Sequence, residues 1–154
     1  VRLFRRPTTW SRTIIWCGIK VFVKESIRKE EPVSLVASHE LAEMLVDPSD
    51  NLWCLGPGGK LYAYEICDAV ELEQFKVDGV TMSDFLYPDY FQNVRTAKAL
   101  QLDYMKRVKR PVQVLPGGYS VVRHRGRKTT MYGSRLKEQA FKTEDLRFHR
   151  SQYR

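Results

Sequence analysis

Cysteine is scarce in this chain, with three residues at Cys17, Cys54 and Cys67, no CxxC pair among them, and an odd total. That excludes a disulfide scaffold and points to a reducing, cytoplasmic compartment. Long apolar runs are missing too. The longest, over residues 14–23, is broken by Lys20 and falls far short of the roughly 20 residues that a membrane span requires. No small-residue cleavage site follows it, so a secretory leader is not expected either. No internal repeat is present. Basic residues are few in the middle of the chain: residues 31–94 hold two bases against twelve acids, a net −10. The flanks reverse this, with +6 over residues 1–30 and +12 over residues 95–154. A total of +8 therefore conceals an acidic centre between basic ends. Such a centre must spread its acids over a solvated face, pair them with the basic flanks, or gather them round a cation.

What is present is globular: 43% hydrophobic and 12% aromatic residues in 154, enough for one domain with a real core. Residues 13–24, TIIWCGIKVFVK, are rich in β-branched and aromatic side chains and read as a strand. A charged linker, KESIRKEEP, follows. From Val33 to Val46 apolar residues recur near helical spacing, with Pro32 at the start and Pro48 at the stop. GPGGK at 56–60 reads as a turn and LYAYEI at 61–66 as a strand. FKVDGVTM at 75–82 has two apolar arms around Asp78-Gly79, the signature of a hairpin. The aromatics of 84–91 are expected to pack over the domain, and 93–108 to hold a short helix. PVQVLPGGYSVVRHR reads as strand, turn and strand, with KTTMYG adding a third. The expectation is a single α+β domain over 13–133, in which the 33–46 helix packs its Leu35, Leu41, Leu45 face on a mostly antiparallel sheet. A basic arm, 1–12, would precede it, and a basic tail, 134–154, would follow as a surface helix or unfolded segment.

SHELAEMLVDP, residues 38–48, carries the most chemistry. On a helix His39 and Glu43 are one turn apart and share a face, so both could ligate one ion, with Glu40 about a quarter-turn away. HExxH zinc enzymes use this logic: two side chains a turn apart hold the metal, and the adjacent glutamate activates water. Glu43 in the second position keeps zinc available and shifts preference toward Mn²⁺, Mg²⁺ or Ca²⁺. Asp47, a further turn on, is a third ligand, a partner for His39, or the residue that ends the helix. EICD at 65–68 adds Glu65 and Asp68 as later-segment candidates, while Cys67 beside them reads better as a buried thiol. The bland alternative is a half-buried histidine among acids on a wet helix face.

SHELAEMLVDP, NLW, YEICD, VDGVTMSDFLYPDYF and LPGGYSVVR together resemble an uncharacterised family of bacterial and phage proteins. The first motif and the acidic EICD segment are also similar to fungal and plant exordium-like proteins, a resemblance that implies a metallopeptidase-like site. The resemblance spans about residues 33–123. It implies a zincin-like site with His39 and Glu43 at ligand positions and Glu40 as general base, with Asp47, Glu65 and Asp68 at further acidic positions. It also implies a peptide or protein substrate and, for a phage-encoded chain, a place in the virion.

The basic flanks allow a different reading. Arg123, Arg125, Arg127 and Lys128, then Arg135, Lys137, Lys142, Arg147, Arg150 and Arg154, are interspersed with Tyr132, Phe141, Phe148 and Tyr153. Cations with aromatics can neutralise phosphates and stack bases. Three functions stay open on sequence: a metal-dependent hydrolase, a metal-stabilised structural or virion-associated domain, and a basic nucleic-acid-binding protein.

Overall fold

A computed structural model describes residues 3–4, 19–92 and 101–134. The proposed arm and tail, apart from Leu3–Phe4 and Ser134, lie outside the described residues, as do 13–18 of the first expected strand and 93–100 of the expected short helix. The described part is an α+β domain: two helices, a five-stranded antiparallel sheet and a separate two-stranded hairpin.

The elements run β1 (Leu3–Phe4), α1 (Val23–Arg28), α2 (Val33–Val46), β2 (Trp53–Leu55), β3 (Leu61–Ala63), β4 (Gln74–Val77), β5 (Val80–Ser83), β6 (Tyr119–His124) and β7 (Arg127–Tyr132). Short 3-10 turns at Pro57–Gly59, Asp68–Val70 and Pro88–Phe91 link them. The large sheet has the order β1-β2-β3-β6-β7, and β4-β5 stands alone. The β4–β5 and β6–β7 turns are each fixed by two residues with positive φ, Asp78 (49°) and Gly79 (83°), then Arg125 (50°) and Gly126 (78°). This left-handed pair matches the twist of the strands it joins.

The core lies under one face of the sheet, where Cys54, Tyr62 and Val122 meet Ile66, Val70, Leu86, Tyr90 and Phe91. The 84–91 aromatics do pack over the domain: Tyr90 and Phe91 are buried, and Tyr64 and Phe91 sit 4.6 Å apart between ring centroids. The Tyr90 hydroxyl donates to the Gln113 carbonyl at 3.0 Å, which gives a buried phenol the partner it needs.

Several local expectations need correction. Residues 19–22 are not a strand, and Val23 and Lys24 open α1, which runs into the expected linker; Arg28 Nε donates to Glu25 Oε2 at 3.0 Å, a pairing that suits a helix turn. The strand at 61–66 ends at Ala63, because the chain turns inward at Tyr64 to deliver Ile66 and Cys67 to the core. Residues 101–108 form no helix. The Asp103 carboxylate takes the backbone N–H groups of Arg107 and Val108, offering that segment a local alternative to helical bonding. Residues 111–115 are not a strand either: Val112 is left-handed (φ 50°), and the amides of Val112 and Leu115 donate to Tyr90 and Ala69 instead of to a ladder.

Helix α2 falls on the expected residues, but a different face is buried. Leu41 and Leu45 are 42% and 71% exposed, whereas Ser38, His39 and Glu43 are buried. The helix is apolar on nearly every side, so no single greasy stripe decides its orientation. Specific polar contacts decide it. Ser38 Oγ accepts the Ser83 amide of β5 at 2.8 Å and donates to the Leu35 carbonyl at 2.9 Å, tying the helix to the hairpin. One turn on, Glu43 accepts the Cys67 amide at 3.3 Å, tying it to the 3-10 turn below.

Candidate metal centre

Helix α2 supplies two side chains to the site and the 3-10 turn Asp68–Val70 supplies the third. His39 and Glu43, four residues apart, project from the buried face. Asp68 reaches them because the chain leaving β3 descends beneath the helix, where Gly118 permits close packing. A Cβ on Gly118 would lie 2.5 Å from the Ala69 carbonyl oxygen and 2.8 Å from that of Asp68. Only a glycine lets β6 approach the turn this closely.

The resulting geometry is tight. His39 Nε2 stands 3.2 Å from Glu43 Oε1 and 3.3 Å from Asp68 Oδ1. One ligand atom from each of the three residues lies within 4.8 Å of the others. All three side chains are nearly enclosed, at 11%, 8% and 3% exposure for His39, Glu43 and Asp68. His39 Nε2 is buried without a hydrogen bond of acceptable geometry, although two carboxylate oxygens face it. A buried ring nitrogen in that position calls for a shared charge.

Two charges fit. One is a proton on Nε2: burial opposes it, but the Asp68 and Glu43 carboxylates outweigh burial and raise the imidazole pKa to about 10. The other is a divalent cation held by a neutral imidazole and two carboxylates, a donor set suited to zinc and to harder ions. His39, Glu43 and Asp68 thus form a group that could hold a metal ion.

The other candidate residues are placed differently. Glu65 stands beside the cluster. Burial raises its carboxyl pKa far above the ordinary range, and the charges of Glu43, Asp68 and Asp50 add to that, so it keeps its proton at neutral pH. Asp47 is buried but engaged elsewhere. Its Oδ2 accepts the Asn51 and Leu52 amides at 2.8 and 2.7 Å, closing the turn after α2, and it is not brought into the converging group. Cys67 is buried in the core, as expected of a structural thiol. Glu40 is half-buried and lines, together with His39, a cleft of about 300 Å³ that Glu30, Glu31 and Glu71 also border.

Two acidic features went unrecognised in the sequence. The cleft-bordering Glu30, Glu31 and Glu71 come from separate segments, and no spacing rule connects them. Asp84 and Asp103, both fully buried, lie carboxyl against carboxyl. Burial, reinforced by Asp103, raises the Asp84 pKa to about 7. Asp84 Oδ1 accepts the Phe85 and Met105 amides, so this pair clasps residues 101–108 onto the segment after β5. Among the described residues no helix is long and apolar enough to cross a membrane. Comparison of the chain with models of known protein families, with curated proteins and with solved structures finds no match.

Proposed function

We propose that the protein is a divalent-metal-dependent hydrolase of the peptidase type, with His39, Glu43 and Asp68 as ligands and Glu40 as general base. The observation that carries this reading is the convergence of an imidazole nitrogen and two carboxylate oxygens within 4.8 Å, beside a cleft that Glu40 shares with His39. Three protein ligands are the number found where a catalytic ion keeps a further position open. The ion would act as a Lewis acid toward a scissile carbonyl and lower the pKa of a water. Zinc is the first candidate, and Mn²⁺, Mg²⁺ and Ca²⁺ follow from the two carboxylates.

The chain's own residues divide the remaining work. Glu43 is fixed by the Cys67 amide, which holds its oxygen toward His39. Glu40, a residue along from His39, points a quarter-turn away, into the cleft, where a carboxylate can accept a proton from attacking water and return it to the leaving amine. The near-complete burial of Glu43 and Asp68 favours a second reading, in which the ion only ties α2 to the turn beneath it.

Turnover separates the two. The metal-loaded chain is assayed against a degenerate fluorogenic peptide library, beside Glu40→Gln. Hydrolysis by the parent that falls by about 10²–10⁴-fold in Glu40→Gln, with metal content unchanged, supports the hydrolase. A metal-loaded parent that cleaves nothing, or a Glu40→Gln variant that cleaves equally well, overturns it. In the former case a large loss of melting temperature on chelation identifies the structural role.

A further inference from the structure

The cleft beside His39 is bordered by two acids that folding alone does not explain. Helix α1 ends at Arg28, and the residues after it close the helix with a Schellman motif: the Glu30 amide donates to the Ile27 carbonyl at 3.1 Å and the Glu31 amide to the Ser26 carbonyl at 2.9 Å. Glu30 holds the left-handed position of that motif, at φ 57°, where glycine or asparagine is the usual residue. The last carbonyls of a helix also favour cations over carboxylates. Two glutamates therefore stand where the backbone and the helix end both disfavour them. Both are exposed, and among the described residues neither carboxylate has an ion pair or a hydrogen bond.

The walls between these acids and His39 are apolar. Pro32, Leu35 and Leu72 line the cleft, and Leu72 is 63% exposed. At the floor is His39, 9% exposed, whose Nε2 makes no hydrogen bond. At about 300 Å³ the cleft lies at the small end of binding sites and fits one long side chain with its flanking backbone. Glu40 and Glu71 also border it, but each has interactions of its own, so an incoming cation is left to Glu30 and Glu31. An apolar slot with carboxylates at its mouth matches a side chain that has an aliphatic stem and a charged end. Lysine and arginine are the residues of that form with a positive charge.

We propose that the cleft selects peptides with a lysine or arginine close to the bond cleaved, its stem along Pro32, Leu35 and Leu72 and its cation at Glu30 and Glu31. As a substrate preference this rests on the hydrolase reading, but the binding preference can be measured without turnover. An apolar side chain in the same slot would leave both carboxylates unpaired, and an acidic one would be repelled.

The test is fluorescence anisotropy of dye-labelled peptides that are identical except for a central lysine, norleucine or glutamate. They are titrated with the full chain carrying Glu40→Gln, with Zn²⁺ present, so that no probe is consumed. Two surface ion pairs should make the lysine peptide bind about 2- to 30-fold tighter than the norleucine peptide at low salt, and the preference should shrink as salt rises. Glu30→Gln/Glu31→Gln should abolish it. Asp78→Asn/Asp89→Asn, which removes the same charge from positions outside the cleft, should leave it in place. Equal binding of the lysine and norleucine peptides, a preference that survives Glu30→Gln/Glu31→Gln, equal losses in the two double variants, or no measurable binding of any peptide would each overturn the proposal. Cleavage of the same peptides by the parent chain is read separately. Lysine-selective binding without cleavage strikes the hydrolase reading and leaves the preference of the cleft standing, whereas cleavage that ignores the central residue strikes the preference alone.

Discussion

Raising the pH from 6.5 to 8.5 should tighten divalent-metal binding by about tenfold per unit, a range over which an ordinary histidine site gains only about twofold in all. The reason lies in what the cluster holds without an ion. His39 Nε2 faces Glu43 and Asp68 at 3.2 and 3.3 Å, and its pKa is raised from 6.5 to about 10. A metal must displace that proton, because a ligating imidazole is neutral. At pH 7 the displacement spans about three units, a thousandfold competition or about 4 kcal/mol. Calorimetry at pH 8 in buffers of different ionisation enthalpy reads the displaced proton directly. At least about one proton per ion should be released, where a histidine with the ordinary value would release roughly 0.03. His39→Asn should abolish that pH-dependence along with most of the affinity. An affinity that is flat above pH 7, with no proton released, would refute the assignment of a shared proton to His39.

The same shift sets the stability of the metal-free chain. With the folded pKa above the unfolded one, the His39 contribution is complete below pH 6.5 and is lost as pH rises through about 10. Metal-free protein should therefore melt lower in alkali, and excess metal should reverse that trend. Asp84, raised from 3.8 to about 7, loses its contribution as pH rises from 3.8 through 7. Asp84→Asn, which can donate to Asp103 and keep an oxygen for the Phe85 and Met105 amides, should be more stable than the parent at pH 8 by an amount on the order of 2 kcal/mol, read by urea unfolding. Asp47→Ala orphans the Asn51 and Leu52 amides and should cost about 1–3 kcal/mol in the same assay while leaving metal content intact; loss of the ion would restore Asp47 as a ligand. Gly118→Ala drives a Cβ against the Ala69 carbonyl and should cost about 1–3 kcal/mol. Displacing the turn that carries Asp68 should also weaken metal binding, and unchanged affinity would show that the turn tolerates the shift.

How the sequence encodes these features varies from element to element. Helix α2 was legible because Pro32 and Pro48 bracket good helix formers, and the β4–β5 hairpin because Asp-Gly permits one turn geometry. The buried face of α2 was not legible: Leu41 and Leu45 lose to Ser38, His39 and Glu43, whose partners at Ser83, Cys67 and Asp68 are distant in the chain. Pro116-Gly117-Gly118 is the turn its sequence suggests, closed by the Gly118 amide on the Leu115 carbonyl at 2.9 Å with Gly117 at φ 83°, but no strand directly precedes it, and the hairpin that follows turns at Arg125-Gly126. His39 and Glu43 followed from helical spacing alone. Asp68 could not be separated from Asp47 and Glu65, since a carboxylate that closes a turn through two backbone amides looks, in one dimension, like one that faces a histidine.

Metal content is the most direct measurement of the central claim. The full chain, purified without chelator, dialysed against Zn²⁺ and freed of excess, should carry close to one ion by plasma mass spectrometry. His39→Ala, Glu43→Gln and Asp68→Asn should each lose most of it, while Glu40→Gln and Asp47→Asn retain it. A folded parent that holds no ion after exposure to Zn²⁺, Mn²⁺ or Ca²⁺ would contradict the account and leave His39 as a buried imidazolium paired with two carboxylates.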